Sequence, residues 1–354
     1  MKNILIVNPF GIGDVLFTTP LLKAIKTSLP EAKIGFLCNR RVYPLIKDIP
    51  FIDWVFVYER DEMEDIRRRS LLLWLRAHRK LIGEIREKRF DAAIDLSLNT
   101  KFGAFLWLAG IKKRIGYDYK KRGKFLNYKI PLEGYREKHI IEYHLELLRF
   151  ANIKPAVFPM EINIPEKDAV WTSRFLDSCG IKNGRFICLA PGGGESFGKE
   201  AYRKLWPKEK FIELCCVIEK QIPDYKIGVV LGPKERGLSE GFPPSVVIFP
   251  YMPLEKVAAT ISLCSLFISN DNGLMRIANS LERKIVVLFG PTSEKVYSPY
   301  PPDSQKHIVI TKDVPCRPCY QNFRLPPCPY NLRCLREISA EEVFEAVKKL
   351  LKIT

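Results

Sequence analysis

Three loops hold the residues of this chain best suited to chemistry, and each directly follows a short apolar run. The first is NPFGIGDVLFTTP, Asn8 to Pro20. Gly11 and Gly13 let the backbone approach a ligand closely, and Asp14 stands in that approach. The third glycine of a dinucleotide fingerprint is missing, and a carboxylate here would repel a pyrophosphate. Asp14 has two readings. As a general base facing a cleft it takes a proton from a substrate hydroxyl; as a cap it closes the next helix. Thr19-Pro20 already reads as that helix's cap and first-turn proline.

The second loop is PGGGESFGKEAYRKLWPKEKF, Pro191 to Phe211. A Gly-rich turn around Gly193 offers backbone N–H groups to phosphate oxygens. It lacks the Lys-Ser/Thr ending of a P-loop. Lys204 precedes Trp206-Pro207, which open a helix, and it can supply a point charge to a diphosphate. The plainer reading is a surface loop with a solvated lysine. The third loop lies in SNDNGLMRIANSLERKIVVLFGPT, Ser269 to Thr292. Asp271, Asn272 and Gly273 turn the chain into a helix whose first N–H groups carry about half a positive charge. Asp271 reads as a cap, a turn former or an acceptor for a hydroxyl. Arg276, one turn further, can reach phosphate bidentately. No D-x-D triplet occurs in the chain, so a metal-held diphosphate is not indicated. Lys204, Arg276 and the helix start would stabilise a leaving diphosphate instead.

Two further groups complete the candidates. Cys316, Cys319, Cys328 and Cys334 follow a C-x2-C-x8-C-x5-C spacing. The opening pair suits a structural zinc site, whereas the second pair departs from it; buried thiols or disulfides are the alternatives. Residues 64–89 interleave Arg67, Arg68, Arg69, Arg76, Arg79 and Arg86 with Leu71, Leu72, Leu73, Trp74 and Leu75. Lys112, Lys113, Arg114, Lys120, Lys121, Arg122 and Lys124 follow. That pattern resembles a surface touching anionic lipid, or a solvated helix packed on its own domain. The four histidines have no ligand spacing.

These loops must be positioned by the elements around them. Short β-branched runs alternate with amphipathic stretches: Asn3–Val7, Lys33–Leu37, Trp54–Val57 and Ala92–Leu96, then Phe186–Ala190, Ile227–Leu231, Val246–Phe249, Leu266–Ser269 and Ile285–Phe289. Glu64–Arg89 reads as one helix. Such alternation predicts parallel sheets of βαβ units, with ligands at the carboxyl ends of strands. A proline-bearing seam at 152–167 separates two similar halves. The expected organisation is α/β, with two Rossmann-like domains facing across a cleft: residues 1–160, residues 161–335, and a closing helix at 336–354.

The chain has 354 residues and a formal charge of +17. Residues 1–150 carry 29 Lys and Arg against 18 Asp and Glu, so the first half favours an anionic partner. No apolar run reaches the 18–20 or so residues of a membrane span. The start, MKNILIVNPFGIGD, reads as a first strand rather than a signal peptide. Ten cysteines without an export signal suggest a reducing, cytoplasmic setting.

GDVLFTTP, KLWP, SNDNGLMRIA with VVLFGPT, and CRPCY…CPYNLRC followed by LREIS, in that order, resemble the family 9 glycosyltransferases, the ADP-heptose:lipopolysaccharide heptosyltransferases. The resemblance spans nearly the whole chain. It implies a GT-B fold and an inverting transfer from ADP-heptose to a lipid A–core acceptor. The acceptor would bind mainly on the first domain, the donor mainly on the second, and catalysis would require no cofactor. Asp14 falls on the family's proposed base and Lys204 on a lysine that holds donor phosphate. Glu235 falls on an acid near the nucleoside, and Asp271, Asn272, Gly273 and Leu274 on the donor-binding turn. Arg276 departs from the usual histidine; it keeps positive charge near phosphate but cannot act as a neutral donor or proton carrier. The resemblance also suggests a basic acceptor face, for which Arg68, Lys121 and Arg122 are the candidates, and peripheral contact with the anionic inner membrane. A basic nucleic-acid-binding protein with a four-cysteine structural metal site is the competing expectation; it lacks a recognised nucleic-acid module. A nicotinamide-dependent oxidoreductase is disfavoured by the incomplete glycine fingerprint.

Overall fold

The computed structural model describes residues 1–182, 184–194 and 197–353. It divides into two units, Met1–Asn163 and Ile164–Thr354. The first contains strands β1 (Asn3–Val7), β2 (Lys33–Cys38), β3 (Trp54–Val57), β4 (Ala92–Asp95), β5 (Lys113–Tyr119) and β6 (Tyr128–Leu132). They form one sheet in the order β3-β2-β1-β4-β5-β6, with every neighbouring pair parallel. The second contains β7 (Phe186–Ala190), β8 (Lys226–Val229), β9 (Val247–Ile248), β10 (Leu266–Asn270), β11 (Ile285–Leu288) and β12 (His307–Ile310). Its order is β12-β11-β10-β7-β8-β9, again all parallel. Both sheets therefore have the doubly wound Rossmann order, as expected.

The inner strands are apolar on both faces because helices cover both sides. Leu5, Val7 and Ala93 pack with Leu81, Ile85 and Phe105 in the first unit. In the second, Ile187, Leu189 and Ile268 pack with Phe211 and Leu214, and with Val343 and Val347 of the last helix, Ala340–Leu351. Each order reverses between its two central strands, β1 and β4 in one unit and β7 and β10 in the other. That reversal opens a crevice at the carboxyl edge, where α/β sheets bind ligands.

The stretch 64–89 is two helices, not one. Ser70 adopts an extended backbone (φ −162°, ψ 123°) between the helices Arg60–Arg69 and Leu71–Glu87. Its hydroxyl oxygen accepts from the Leu73 N–H at 3.3 Å, capping the second helix. The amphipathic period runs on through this break, so periodicity alone hides it.

Candidate active site

The carboxyl edge of the second sheet gathers most of the expected donor residues, and it does so through an Asn-Asp-Asn triplet ending β10. Asn270 is fully buried. Its Oδ1 accepts from the Trp206 N–H at 2.9 Å, and its Nδ2 donates to the Pro191 carbonyl at 2.7 Å. One side chain thus ties β10 to the Gly-rich loop after β7 and to the start of the next helix. Asn272 donates to the Gly192 carbonyl at 2.8 Å and accepts from the Met275 N–H at 3.1 Å. It is therefore Asn272, not Asp271, that caps the helix Gly273–Ser280. Gly273 and Leu274 form that helix's first turn, Gly273 half-exposed, at its positive end.

Asp271 instead lies buried between two cations. Lys204 Nζ stands 2.8 Å from Oδ2, Arg276 Nη2 donates to Oδ1 at 2.5 Å, and the Thr292 hydroxyl donates to Oδ2 at 2.7 Å. Burial alone would raise this carboxyl. Lys204, Arg276 and Thr292 outweigh it and hold the group well below the usual carboxylate range. All three charged side chains are at most 8% exposed, so two cations share one carboxylate in a buried cluster. Lys204 also lies over the Phe197 ring, 4.6 Å from its centroid. The solvated-lysine reading is corrected: Lys204 is buried because Asp271 draws it inward.

Glu235 sits apart from that cluster. Its carboxylate accepts from the Gly232 N–H at 2.7 Å and the Gly194 N–H at 3.2 Å, pinning the loop after β8 to the loop after β7. A Cβ on Gly192 would fall about 2.0 Å from this carboxylate, and one on Gly193 would meet the Ala201 carbonyl at 2.9 Å. Both positions need glycine for close approach. One N–H of the Gly-rich turn, that of Gly194, is here occupied by a protein carboxylate. Glu195 and Ser196 of this loop lie outside the described residues. Beside it, Leu231, Arg236, Ile248 and Tyr251 line a cavity of about 310 Å³ between the loops after β8 and β9.

At the carboxyl edge of the first sheet, Asp14 lies in the first turn of a short helix, Ile12–Leu16. The following helix is Thr19–Ser28, and its cap position is Thr18 rather than Thr19. Asp14 therefore belongs to a separate helix from the one it was expected to cap. Asn8 Nδ2 at 2.9 Å and Thr18 Oγ1 at 3.0 Å both donate to the Asp14 carbonyl. The half-exposed Asp14 leans its carboxylate over Gly11, whose Cβ would lie 3.6 Å from Oδ2.

Of the expected acceptor residues, Lys121 and Arg122 share the loop after β5, tied to the helix Thr100–Leu108 by Thr100 Oγ1 donating to the Arg122 carbonyl at 3.0 Å. Arg68 is on a different element, exposed and 3.8 Å from Asp65. Lys101 escaped sequence reasoning. It follows the β4 loop, half-buried over Tyr58 at 4.4 Å, and burial lowers its pKa. Asn270 and Thr292 were also missed; a polar residue ending an apolar strand at a carboxyl edge is the signal that finds Asn270.

Asp95, at the end of β4 beside Val7 of β1, is buried, and burial pushes its carboxyl up to about 6 against opposing hydrogen bonds from Ser97. Folded and unfolded states are both protonated below about pH 4. As pH rises towards 6 the unfolded chain ionises first, so the native unit loses stability, by about 3 kcal/mol at completion. Asp95→Asn keeps the oxygen that accepts the Ser97 N–H at 2.9 Å. Thermal denaturation should show the variant more stable than the parent at pH 8 and equal to it at pH 4. A pH-independent difference would remove the charge argument.

The four tail cysteines are free thiols. Cys316, Cys319 and Cys328 line a cavity of about 890 Å³, and burial pushes the Cys334 thiol up to about 11. Among the described residues no three His, Cys, Asp or Glu side chains are grouped to hold a metal ion.

The family model for glycosyltransferase family 9 (heptosyltransferase) matches residues 78–325. The lipooligosaccharide heptosyltransferase 2 of Campylobacter jejuni (serotype O:2) is 33% identical over 351 residues, covering 97% of both chains. A family 9 glycosyl transferase structure from Veillonella parvula superposes with a TM-score of 0.82 at 21% identity, covering 99% of this chain and 97% of that one. The E. coli heptosyltransferase WaaC with ADP-2-deoxy-2-fluoro heptose gives 0.71 at 19% identity, covering 98% and 99%.

Proposed function

The chain belongs to glycosyltransferase family 9, and on that premise we propose that it is an inverting, metal-independent heptosyltransferase. It moves a heptose from ADP-heptose to a sugar of the lipopolysaccharide core. Asp14 takes the proton of the acceptor hydroxyl as its oxygen attacks the anomeric carbon. The bond from that carbon to the β-phosphate oxygen breaks, and its electron pair leaves with ADP. Negative charge grows on the diphosphate during this step, so the largest catalytic contribution is a fixed positive field aimed at it.

The buried Lys204–Asp271–Arg276 cluster is the observation that carries this reading. An ammonium has three donors, and Asp271 uses one of them. Asp271 thus aims Lys204 at the donor phosphates, beside the Gly273–Leu274 helix start. Gly193 and Glu235 shape the Gly-rich loop against which the nucleotide lies. Arg276 contributes charge through Asp271 rather than a proton. Lys121 and Arg122, with Lys101 beside them, and Arg68 on its own helix, serve an anionic acceptor. A WaaC complex with an ADP-heptose analogue supports the donor assignment. A zinc on the cysteine tetrad would serve folding of the tail and no part of the transfer. Family membership leaves the nucleic-acid reading without support. No helix among the described residues is long and apolar enough to cross a membrane; we place the enzyme peripherally at the cytoplasmic face of the inner membrane, where its lipid-linked acceptor is presented.

The direct test is ADP release from ADP-heptose that depends on a core acceptor. Its companion is Lys204→Ala, which leaves Asp271 paired with Arg276 and so preserves the fold. Loss of one charge-assisted hydrogen bond, worth about 1.5–3 kcal/mol, should weaken ADP binding by roughly 10- to 100-fold in calorimetry. Unchanged affinity would reject this role for Lys204.

A further inference from the structure

The helix Leu71–Glu87 is longer than the sheet it covers. Seventeen residues span about 25 Å, whereas the four residues of β4, which it leads into, span about 13 Å. Its buried residues are His78, Leu81 and Ile85, all in the later turns. Because the chain reaches the amino end of β4 directly after this helix, those later turns lie on the sheet and the first turns overhang the carboxyl edge. There Leu71, Leu72, Leu73 and Leu75 are 62%, 58%, 51% and 45% exposed. The preceding helix, Arg60–Arg69, has no buried residue, so it supports the overhang without covering the leucines.

The charges around this apolar tip are sorted. Asp61 and Glu62 stand in the first turn of the preceding helix and Glu64 and Asp65 in its middle, Asp65 3.8 Å from Arg68. Arg67, Arg68 and Arg69 end it at the Ser70 corner, and Arg76 and Arg79 follow on the overhanging helix; all five are exposed. Four leucines surrounded by five arginines match one environment well. Apolar side chains enter the boundary of the acyl region while guanidinium groups remain among anionic headgroups. The five cations call for an anionic surface around the apolar patch, which acidic phospholipid headgroups supply.

We propose that the Arg67–Leu75 corner is a wedge that inserts into an anionic bilayer surface. It holds the carboxyl edge of the first unit, the edge bearing Asp14, against the membrane. This rests on the reading that the acceptor is lipid-linked, but lipid binding can be measured without donor or acceptor.

The test is co-sedimentation of the full chain with phosphatidylethanolamine/phosphatidylglycerol vesicles and with neutral phosphatidylcholine vesicles, at low and high salt. The parent should bind the anionic vesicles at least about tenfold better, an advantage that shrinks with salt. Leu71→Ser/Leu72→Ser/Leu75→Ser should lose about tenfold of that binding with an unchanged melting temperature, since these side chains are exposed. Its turnover should persist on a deacylated, water-soluble core acceptor and fall on the same acceptor embedded in vesicles. Equal binding of parent and triple variant would overturn the wedge, as would no preference for anionic lipid. Dissociation of a parent dimer by the triple substitution would assign the patch to self-association instead. Failure on the soluble acceptor by the parent too would count against the transferase reading and leave the vesicle result standing.

Discussion

Asp14→Ala should lower turnover by about 10²–10⁴-fold, the usual contribution of a positioned general base, while ADP binds as tightly as before. Two features separate chemistry from folding here. The backbone at Asp14 is held by Asn8 and Thr18, both buried, which donate to its carbonyl. Substituting the side chain leaves that backbone clamp intact, and a melting curve beside the assay reads any loss of fold. The donor cluster belongs to the second unit. Steady-state transfer with saturating ADP-heptose, beside ADP calorimetry, separates the two effects. A variant that keeps turnover within a factor of two removes the base assignment, whereas one that loses ADP affinity makes Asp14 a binding residue. Asp14→Asn should behave as the alanine variant does, because an amide retains the shape and accepts no proton.

The central strands were legible because burial on both faces demands continuous apolar runs. Asn3–Val7 and Phe186–Ala190 have the boundaries expected from sequence. The strands that escaped detection lie towards the sheet edges. Lys113–Tyr119 carries Lys113, Arg114, Gly116 and Asp118, which look like part of a basic patch. Tyr128–Leu132 contains Pro131, tolerable at an edge where the N–H needs no partner. His307–Ile310 is an edge strand of the second sheet with only Ile310 fully buried. Local chemistry, not periodicity, broke the 64–89 stretch at Ser70.

The site was legible as types of residue but not as pairings. The Asp271-Asn272-Gly273 turn announces a helix start, and either of the first two residues could cap it. What assigns the cap to Asn272 is Lys204, a residue of the same unit reached only through the fold, which together with Arg276 competes for the Asp271 carboxylate. Ion pairing between residues so far apart in sequence has no local signature. The same holds for Glu235, whose carboxylate fills backbone donors of the Gly-rich loop that composition alone would leave for phosphate.

Asp271→Asn should be the most damaging single substitution in the second unit. It removes the carboxylate that Lys204 and Arg276 share in a buried cluster, and breaking a buried ion pair costs about 3–5 kcal/mol. At roughly 2–4 °C per kcal/mol for a unit of this size, the melting temperature of the second unit should drop by about 10 °C. The pH dependence identifies the cause. Because the native carboxyl is held well below its unfolded value, its contribution is fully present above about pH 4 and is lost as pH falls through the native pKa. Parent and variant should therefore differ most near neutrality and converge in strong acid. Removing one cation as well separates repulsion from lost packing. Asp271→Asn/Arg276→Leu should recover more than about 1 kcal/mol relative to Asp271→Asn, the non-additivity expected of groups in one network. Additive losses would mean that the two cations do not share Asp271. Donor turnover should remain low in both variants, since Lys204 without Asp271 loses the partner that aims it.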